Sequence, residues 1–291
     1  MLLRPFAYHR PESLAEVHRL MGEFADEASL YAGGTELLLL MKLGLAEPSQ
    51  LIDIKHVHEL GTVTSTGDEL VLGATVTHAR LGSSPEVRDL SPELAGLFAN
   101  LANPRVRHTG TIGGNLCFAD PHSDPSTLLI SLGAVVELRS AGQTRRIGMD
   151  RFAVGAYETA REENEVLTSI RLPMVARDHV VIFERMAMHQ ERPVVNAALT
   201  ISVQGAATLV VGALTERPVM REDGVRDAVL SGQEASWRAY ATDLARTVDL
   251  ICPEESMEYH RNLFTVMVMR AFRTAATRLE RPVETGRDKT L

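Results

Sequence analysis

The sequence predicts an α+β protein of two domains, and three observations carry that reading. The first fifty-odd residues have a β-α-β pattern, short strand signals split by turns continue as an antiparallel meander beyond residue 175, and the C-terminal portion is helical in its periodicity. At 291 residues the chain can build more than one sizeable core. Its 45% hydrophobic and 23% charged residues are those of an ordinary globular protein.

The elements follow in order. Leu14, Val17, Leu20, Met21 and Phe24 recur at helical spacing, and Ser13 with Glu16 forms a capping box. Ser29-Leu30-Tyr31 is a short strand that runs into a first glycine turn, Ala32-Gly33-Gly34-Thr35-Glu36. Thr35 then caps a helix through Leu37, Leu38, Leu39, Leu40 and Met41, apolar on nearly every side and therefore expected to be buried. Leu51-Ile52-Asp53-Ile54 is a second buried strand, and Gly67-Asp68 turns a hairpin.

Residues 90–101 read as a helix that Pro104 ends, and a second glycine turn follows, Thr109-Gly110-Thr111-Ile112-Gly113-Gly114-Asn115. Residues 125–132 form a short helix, 134–138 and 143–147 pair as strands, and 165–172 is a strand closed by Pro173. A domain boundary lies near 173–178. Strands at 180–183, 194–203 and 208–214 make the meander, and helices at 224–230, 236–250 and 255–279 complete the chain. In the last, Tyr259, Leu263, Val266, Met267, Ala271 and Ala275 are expected to form one buried stripe. The polar residues 281–291 read as a disordered tail.

Charge and cysteine usage exclude several functions. A net charge of −8 and a pI near 5.7 leave no basic field to collect nucleic acid. Cys117 and Cys252 are the only cysteines, far apart, so the chain has neither a disulfide framework nor enough thiolates to build an iron-sulfur cluster alone. The beginning of the chain lacks a signal-peptide apolar region, no run is long enough to span a bilayer, and the cytoplasm is the expected location.

The chemistry concentrates in the two glycine turns. Neither has the lysine of a phosphate-binding G-x-x-x-x-G-K-[ST] loop, so a diphosphate would be held by backbone N–H groups and close main-chain approach. One such turn is often a plain connection; two favour a dinucleotide-sized cofactor. Asp120-Pro121-His122-Ser123-Asp124 follows, open to three readings: a divalent metal site, carboxylates accepting from a polyol such as a ribityl chain, or turn chemistry before a helix. His56 and His58 alternate without a third ligand, and Cys117 reads as a small buried side chain. Asp53 downstream of Gly33-Gly34 suggests a Rossmann protein, but the turn lacks G-x-G-x-x-G.

Phe6-Ala7-Tyr8-His9-Arg10-Pro11, the turn from Ala32 to Glu36, Leu51-Ile52-Asp53-Ile54, Gly110-Thr111-Ile112-Gly113-Gly114-Asn115 and Ala119 to Pro125 occur in one order and at familiar spacing. Together with Tyr259-His260-Arg261 they resemble the FAD-binding medium subunit of the molybdenum hydroxylases, the family of carbon monoxide dehydrogenase, xanthine dehydrogenase and aldehyde oxidoreductases. The resemblance implies a vanillyl-alcohol-oxidase-type FAD-binding domain over 1–175, with subdomains of about 1–57 and 58–175, and a C-terminal domain of antiparallel strands and helices over 176–280. It implies that Ala32, Gly33, Gly34, Thr35 and Glu36 with Thr111, Ile112, Gly113, Gly114 and Asn115 carry the FAD diphosphate, and that Asp124 bonds ribityl or ribose hydroxyls. Arg185 stands where relatives have a lysine and is carried over in its place as a cofactor-binding residue; the arginine expected near Met188 is absent, and the loop from His189 to Val194 lacks an aromatic residue, so a looser cover of the flavin ring is expected.

The resemblance further implies a small iron-sulfur subunit carrying two-iron, two-sulfur clusters and a large subunit carrying the molybdenum cofactor, assembled as a dimer of heterotrimers. Electrons would pass from those clusters through FAD to an external acceptor. A stand-alone FAD-dependent oxidase, with His122 or His189 as base, and a flavin-free nucleotide-binding scaffold are the alternatives. The catalytic residues and the substrate are not legible in the chain.

Overall fold

A computed structural model of the protein describes residues 3–174, 179–187, 193–202 and 205–280. The expected boundary at 175/176, Met188, residues 189–192 and the tail 281–291 lie outside them.

The N-terminal unit comprises β1 (Ala7–His9), α1 (Leu14–Phe24), β2 (Ala28–Tyr31), α2 (Leu37–Leu43) and β3 (Gln50–Asp53), with the strands parallel in the order β1-β3-β2. Ser13 starts α1: its backbone is extended and its hydroxyl accepts the Glu16 N–H at 3.2 Å, while the Glu16 carboxylate accepts the Glu12 N–H. Leu14, Val17 and Leu20 then bury against Ile52 and Ile54.

The expectation of a buried α2 capped by Thr35 is corrected. Glu36 occupies the cap position without a side-chain cap bond, Met41 alone is buried, and Leu39, Leu43 and Leu45 are 48%, 57% and 72% exposed. Among the described residues the helix packs on no strand or helix over more than a residue or two, and its Leu37 and Leu40 face a cavity. Gly44, at φ +72°, ends the helix in the left-handed conformation that favours glycine.

The second unit runs β4 (Val63–Ser65), β5 (Glu69–Gly73), α3 (His78–Ser83), α4 (Pro85–Leu90), α5 (Pro92–Asn100), α6 (Pro104–Thr109), α7 (Ile112–Phe118), α8 (Asp124–Ser131), β6 (Val135–Arg139), β7 (Thr144–Gly148), β8 (Ala153–Gly155), β9 (Glu158–Thr159) and β10 (Val166–Pro173). Its antiparallel sheet has the order β4-β5-β10-β6-β7. The single helix expected over 90–101 is interrupted at Ser91, whose hydroxyl accepts the Leu94 N–H, with Pro92 in the first turn of α5. Pro104 starts α6 behind the Asn103 cap instead of ending a helix, because its fixed φ suits a first helical position. On the outer sheet face the buried Glu137 carboxylate pairs with Arg139, Arg146 and Arg171 at 3.0–3.2 Å. Burial alone would raise that carboxyl; the three guanidinium groups outweigh it and hold it below the usual range.

The third unit comprises β11 (His179–Ala187), β12 (Pro193–Ser202), β13 (Ala207–Gly212), β14 (Val219–Arg221), α9 (Val225–Leu230), α10 (Glu234–Thr247) and α11 (Met257–Glu280). The strands form an antiparallel sheet in sequence order. Alternation gives the sheet two buried faces. Ile182, Ala197, Leu199, Leu209 and Val211 pack with the helices, whereas Val181, Ala198 and Val210 join the core of the second unit. The expected stripe on α11 is corrected at Tyr259 and Val266, which are exposed; Leu263, Met267, Ala271 and Ala275 are buried with Phe264, Val268 and Phe272. The helix packs on α10 and on β11 and β12 at once, which rotates and widens its covered face.

Candidate functional site

The three units surround a cavity of about 1430 Å³, above the 300–1,000 Å³ usual for small-molecule sites. Its first wall is the turn after β2. Ala32, Gly34, Thr35 and Glu36 border the cavity, and the N–H groups of Gly33, Gly34 and Thr35 make no hydrogen bond among the described residues. Three unpaired main-chain donors on a glycine turn are suited to an anion.

A brace sits behind that turn. The Lys55 ammonium donates to the Ala32 carbonyl at 3.0 Å, pairs with Asp53 Oδ1 at 2.7 Å, and lies 3.9 Å from the Tyr31 ring centre. Tyr8 donates its hydroxyl to the other Asp53 oxygen, and that bond pushes the phenol up to about 12. Burial favours the neutral Asp53 carboxyl, but the bonds from Lys55 and Tyr8 prevail and hold it below its usual value. Gly34 sits at φ +69° over the Tyr31 ring, where a Cβ would overlap the aromatic carbons.

The second turn touches the first: a Cβ on Gly33 would overlap the Thr109 carbonyl oxygen and stand 2.7 Å from Gly110 Cα. It is not the extended, donor-rich loop its sequence suggests, because it follows a helix and opens another. The Thr111 hydroxyl accepts the Gly114 N–H at 3.2 Å, Ile112 and Gly113 donate to Val76 and Ala74, and Asn115 donates to Thr111. Its backbone donors at 112–115 are thus spent internally, and its glycines serve approach. Gly113 packs on Ala74, where a Cβ would stand 2.7 Å away, while a Cβ on Gly114 would meet only Thr111 Oγ1 and otherwise open space.

Of the residues singled out from the sequence, Ala32, Gly34, Thr35, Glu36, Thr111, Gly113, Gly114, Asn115, Asp124 and Arg185 share the cavity wall. Gly33 backs on the second turn, and Ile112 lies in the core. Asp120 accepts the His122 N–H at 3.0 Å and faces its ring at 3.3 Å, a local turn at the cavity edge. Among the described residues no three His, Cys, Asp or Glu side chains group to hold a metal. Cys117 lines the cavity, and burial pushes its thiol up to about 11, away from nucleophilic use.

Asp124 opens α8, a helix whose eight residues are all buried. Its Oδ1 accepts from Asn196 Nδ2 at 2.9 Å and its Oδ2 pairs with Arg185 Nε at 3.1 Å. Burial raises this carboxyl above its usual value, and Asn196 and Arg185 only partly offset it. Two further residues escaped the sequence reading. Asn196 is a lone amide in the apolar run Val194-Val195-Asn196-Ala197-Ala198, a signal that could have marked it. His78, buried against Phe98 at the cavity wall, has no sequence signal beyond its place after the Thr77 cap of α3.

A bound FAD fits this architecture: donors unpaired among the described residues stand on one turn, two glycines open the other to close approach, and a carboxylate lies further along the wall. Residues 4–175 match the FAD binding domain in molybdopterin dehydrogenase. The carbon monoxide dehydrogenase medium chain of Hydrogenophaga pseudoflava is 38% identical over 181 residues, 62% of this chain and 63% of that one. The corresponding medium chain of Afipia carboxidovorans is 30% identical over 96% of this chain and 99% of its own length. The solved structure of the Hydrogenophaga pseudoflava carbon monoxide dehydrogenase lacking the Mo-pyranopterin moiety has a chain that superposes with a TM-score of 0.88 at 29% identity, covering 96% of this chain and 99% of the other.

Proposed function

The chain belongs to the family of FAD-binding domains in molybdopterin dehydrogenases, and on that premise we propose how it holds its cofactor and with what it assembles. It is the FAD-binding electron-transfer subunit of a multi-subunit molybdenum-containing oxidoreductase, with the molybdenum cofactor and iron-sulfur clusters on partner chains. Bound FAD supplies the redox chemistry that connects those clusters with an external acceptor.

The N–H groups of Gly33, Gly34 and Thr35 take the diphosphate, with Ala32 and Glu36 completing that turn. Thr111, Gly113, Gly114 and Asn115 form the opposing surface, with Ile112 behind them as its core anchor. Asp124 accepts from hydroxyls of the ribityl chain or ribose, and Arg185 neutralises that carboxylate at the cavity. The observation that supports this assignment is the contact between the two glycine turns, with the N–H groups at 33–35 unpaired among the described residues and Gly113 and Gly114 leaving the opposing wall open to close approach.

We further propose a cytoplasmic dimer of heterotrimers with one small and one large partner per copy, supported by the near-complete overlap with a medium chain. Purification of the tagged chain from its own cells tests the whole reading. A flavin absorption spectrum, one FAD per chain, and co-purifying iron-sulfur and molybdenum chains are expected. Bleaching of the isolated chain by a substrate of its own would overturn the subunit reading.

A further inference from the structure

We propose that Asn196 is a positioning residue for the cofactor, reaching from the C-terminal sheet to fix the carboxylate of Asp124 at the cavity wall. This rests on the assignment of Asp124 as a cofactor contact. Asn196 lies on β12 and is 0% exposed. Its Nδ2 donates to Asp124 Oδ1 at 2.9 Å, and its Oδ1 accepts the Thr127 hydroxyl at 2.9 Å. The carboxylate, which only accepts, specifies which way the amide faces, and the Thr127 hydroxyl then donates to the amide oxygen.

Space enforces the arrangement. A Cβ on Gly212 would overlap Thr127 Oγ1 and stand 2.6 Å from Asn196 Oδ1, so glycine keeps β13 clear of the pair. Arg185 Nε meets the second carboxylate oxygen at 3.1 Å, and the carboxylate can no longer turn about its last torsion. Asp124 lines the cavity, and a carboxylate oxygen with one partner retains acceptor capacity. A carboxylate oriented before its ligand arrives binds with less loss of freedom than one that must be ordered on binding.

The test is FAD titration of the flavin-stripped full-length chain by flavin fluorescence, with Asp124→Ala, Asn196→Ala and the double variant, alongside thermal unfolding. Each single variant is expected to weaken FAD about tenfold or more, the size of one charge-assisted hydrogen bond. Because Asn196 acts through Asp124, the double variant is expected within about threefold of Asp124→Ala, whereas independent structural losses would multiply. An unchanged Kd in Asn196→Ala beside a weakened Asp124→Ala overturns the role of Asn196, as does multiplication in the double variant. An unchanged Kd in Asp124→Ala overturns the cofactor contact itself. If Asn196→Ala fails to fold, Thr127→Val, which removes the hydroxyl holding the amide, serves instead: a severalfold weaker Kd supports the proposal and an unchanged one overturns it.

Discussion

At the scale of single residues, His78 makes the clearest energetic statement. Its ring stacks on Phe98 at 5.6 Å and 11°, its Nδ1 is enclosed without a partner among the described residues, and burial lowers its pKa to about 4. The unfolded chain, with an ordinary histidine near 6.5, therefore binds more protons than the folded one between pH 6.5 and 4. Stability is full above that window and is expected to fall by about 3 kcal/mol as pH drops through it. Urea midpoints measured across this range should show the slope, and His78→Phe, which keeps the stack, should lose this residue's share of it. A slope unchanged in that variant would show that other groups carry it. The two glycine turns were legible because close approach and, at Gly34, a positive φ both demand glycine, a residue type that stands out in sequence whichever segment it meets. Asn196 and His78 were not, since their roles depend on partners distant in sequence.

At the scale of elements, the second turn separates two kinds of glycine. Gly114→Val is expected to abolish FAD retention while shifting the unfolding midpoint little, because a Cβ there meets only Thr111 Oγ1 and otherwise opens on the cavity. Gly113→Ala should lose stability and FAD together, since its Cβ presses on the backbone and Cβ of Ala74. Thermal unfolding with FAD titration distinguishes them, and equal stability losses would contradict the assignment. On α2, Leu43→Ser should cost within about 0.5 kcal/mol in denaturant unfolding, as for an exposed site, against about 2–5 kcal/mol for truncating a buried leucine. The pattern of five apolar residues could not report this exposure, because a short helix against a cavity has fewer neighbours than its composition anticipates. Pro104 misled for a related reason: proline stops one helix and starts another with equal ease, and the cap at Asn103 decides which.

At the scale of the whole molecule, the C-terminal sheet belongs to two cores. Val181, Ala198 and Val210 pack with α8 and the second unit, and Thr200 bonds Ser131 at 3.3 Å along the same helix. Arg278 of α11 also pairs with Glu93 of α5 and donates to the Val181 carbonyl at 3.0 Å. The sequence pattern could place the strands but not this sharing, since a fully apolar strand run does not say what covers each face. The units should therefore melt as one: calorimetric and van't Hoff enthalpies are expected to agree, and two resolved transitions would contradict a shared core. The bond from Asn196 to Asp124, 72 residues apart, carries a consequence for the newborn chain. A ribosome delivers α8 well before the strand that satisfies it, so the binding pocket matures late in translation and loading waits for the second half of the polypeptide. Arrested nascent chains that expose residues only through β10 should capture no flavin, and those that expose the chain through α11 should do so.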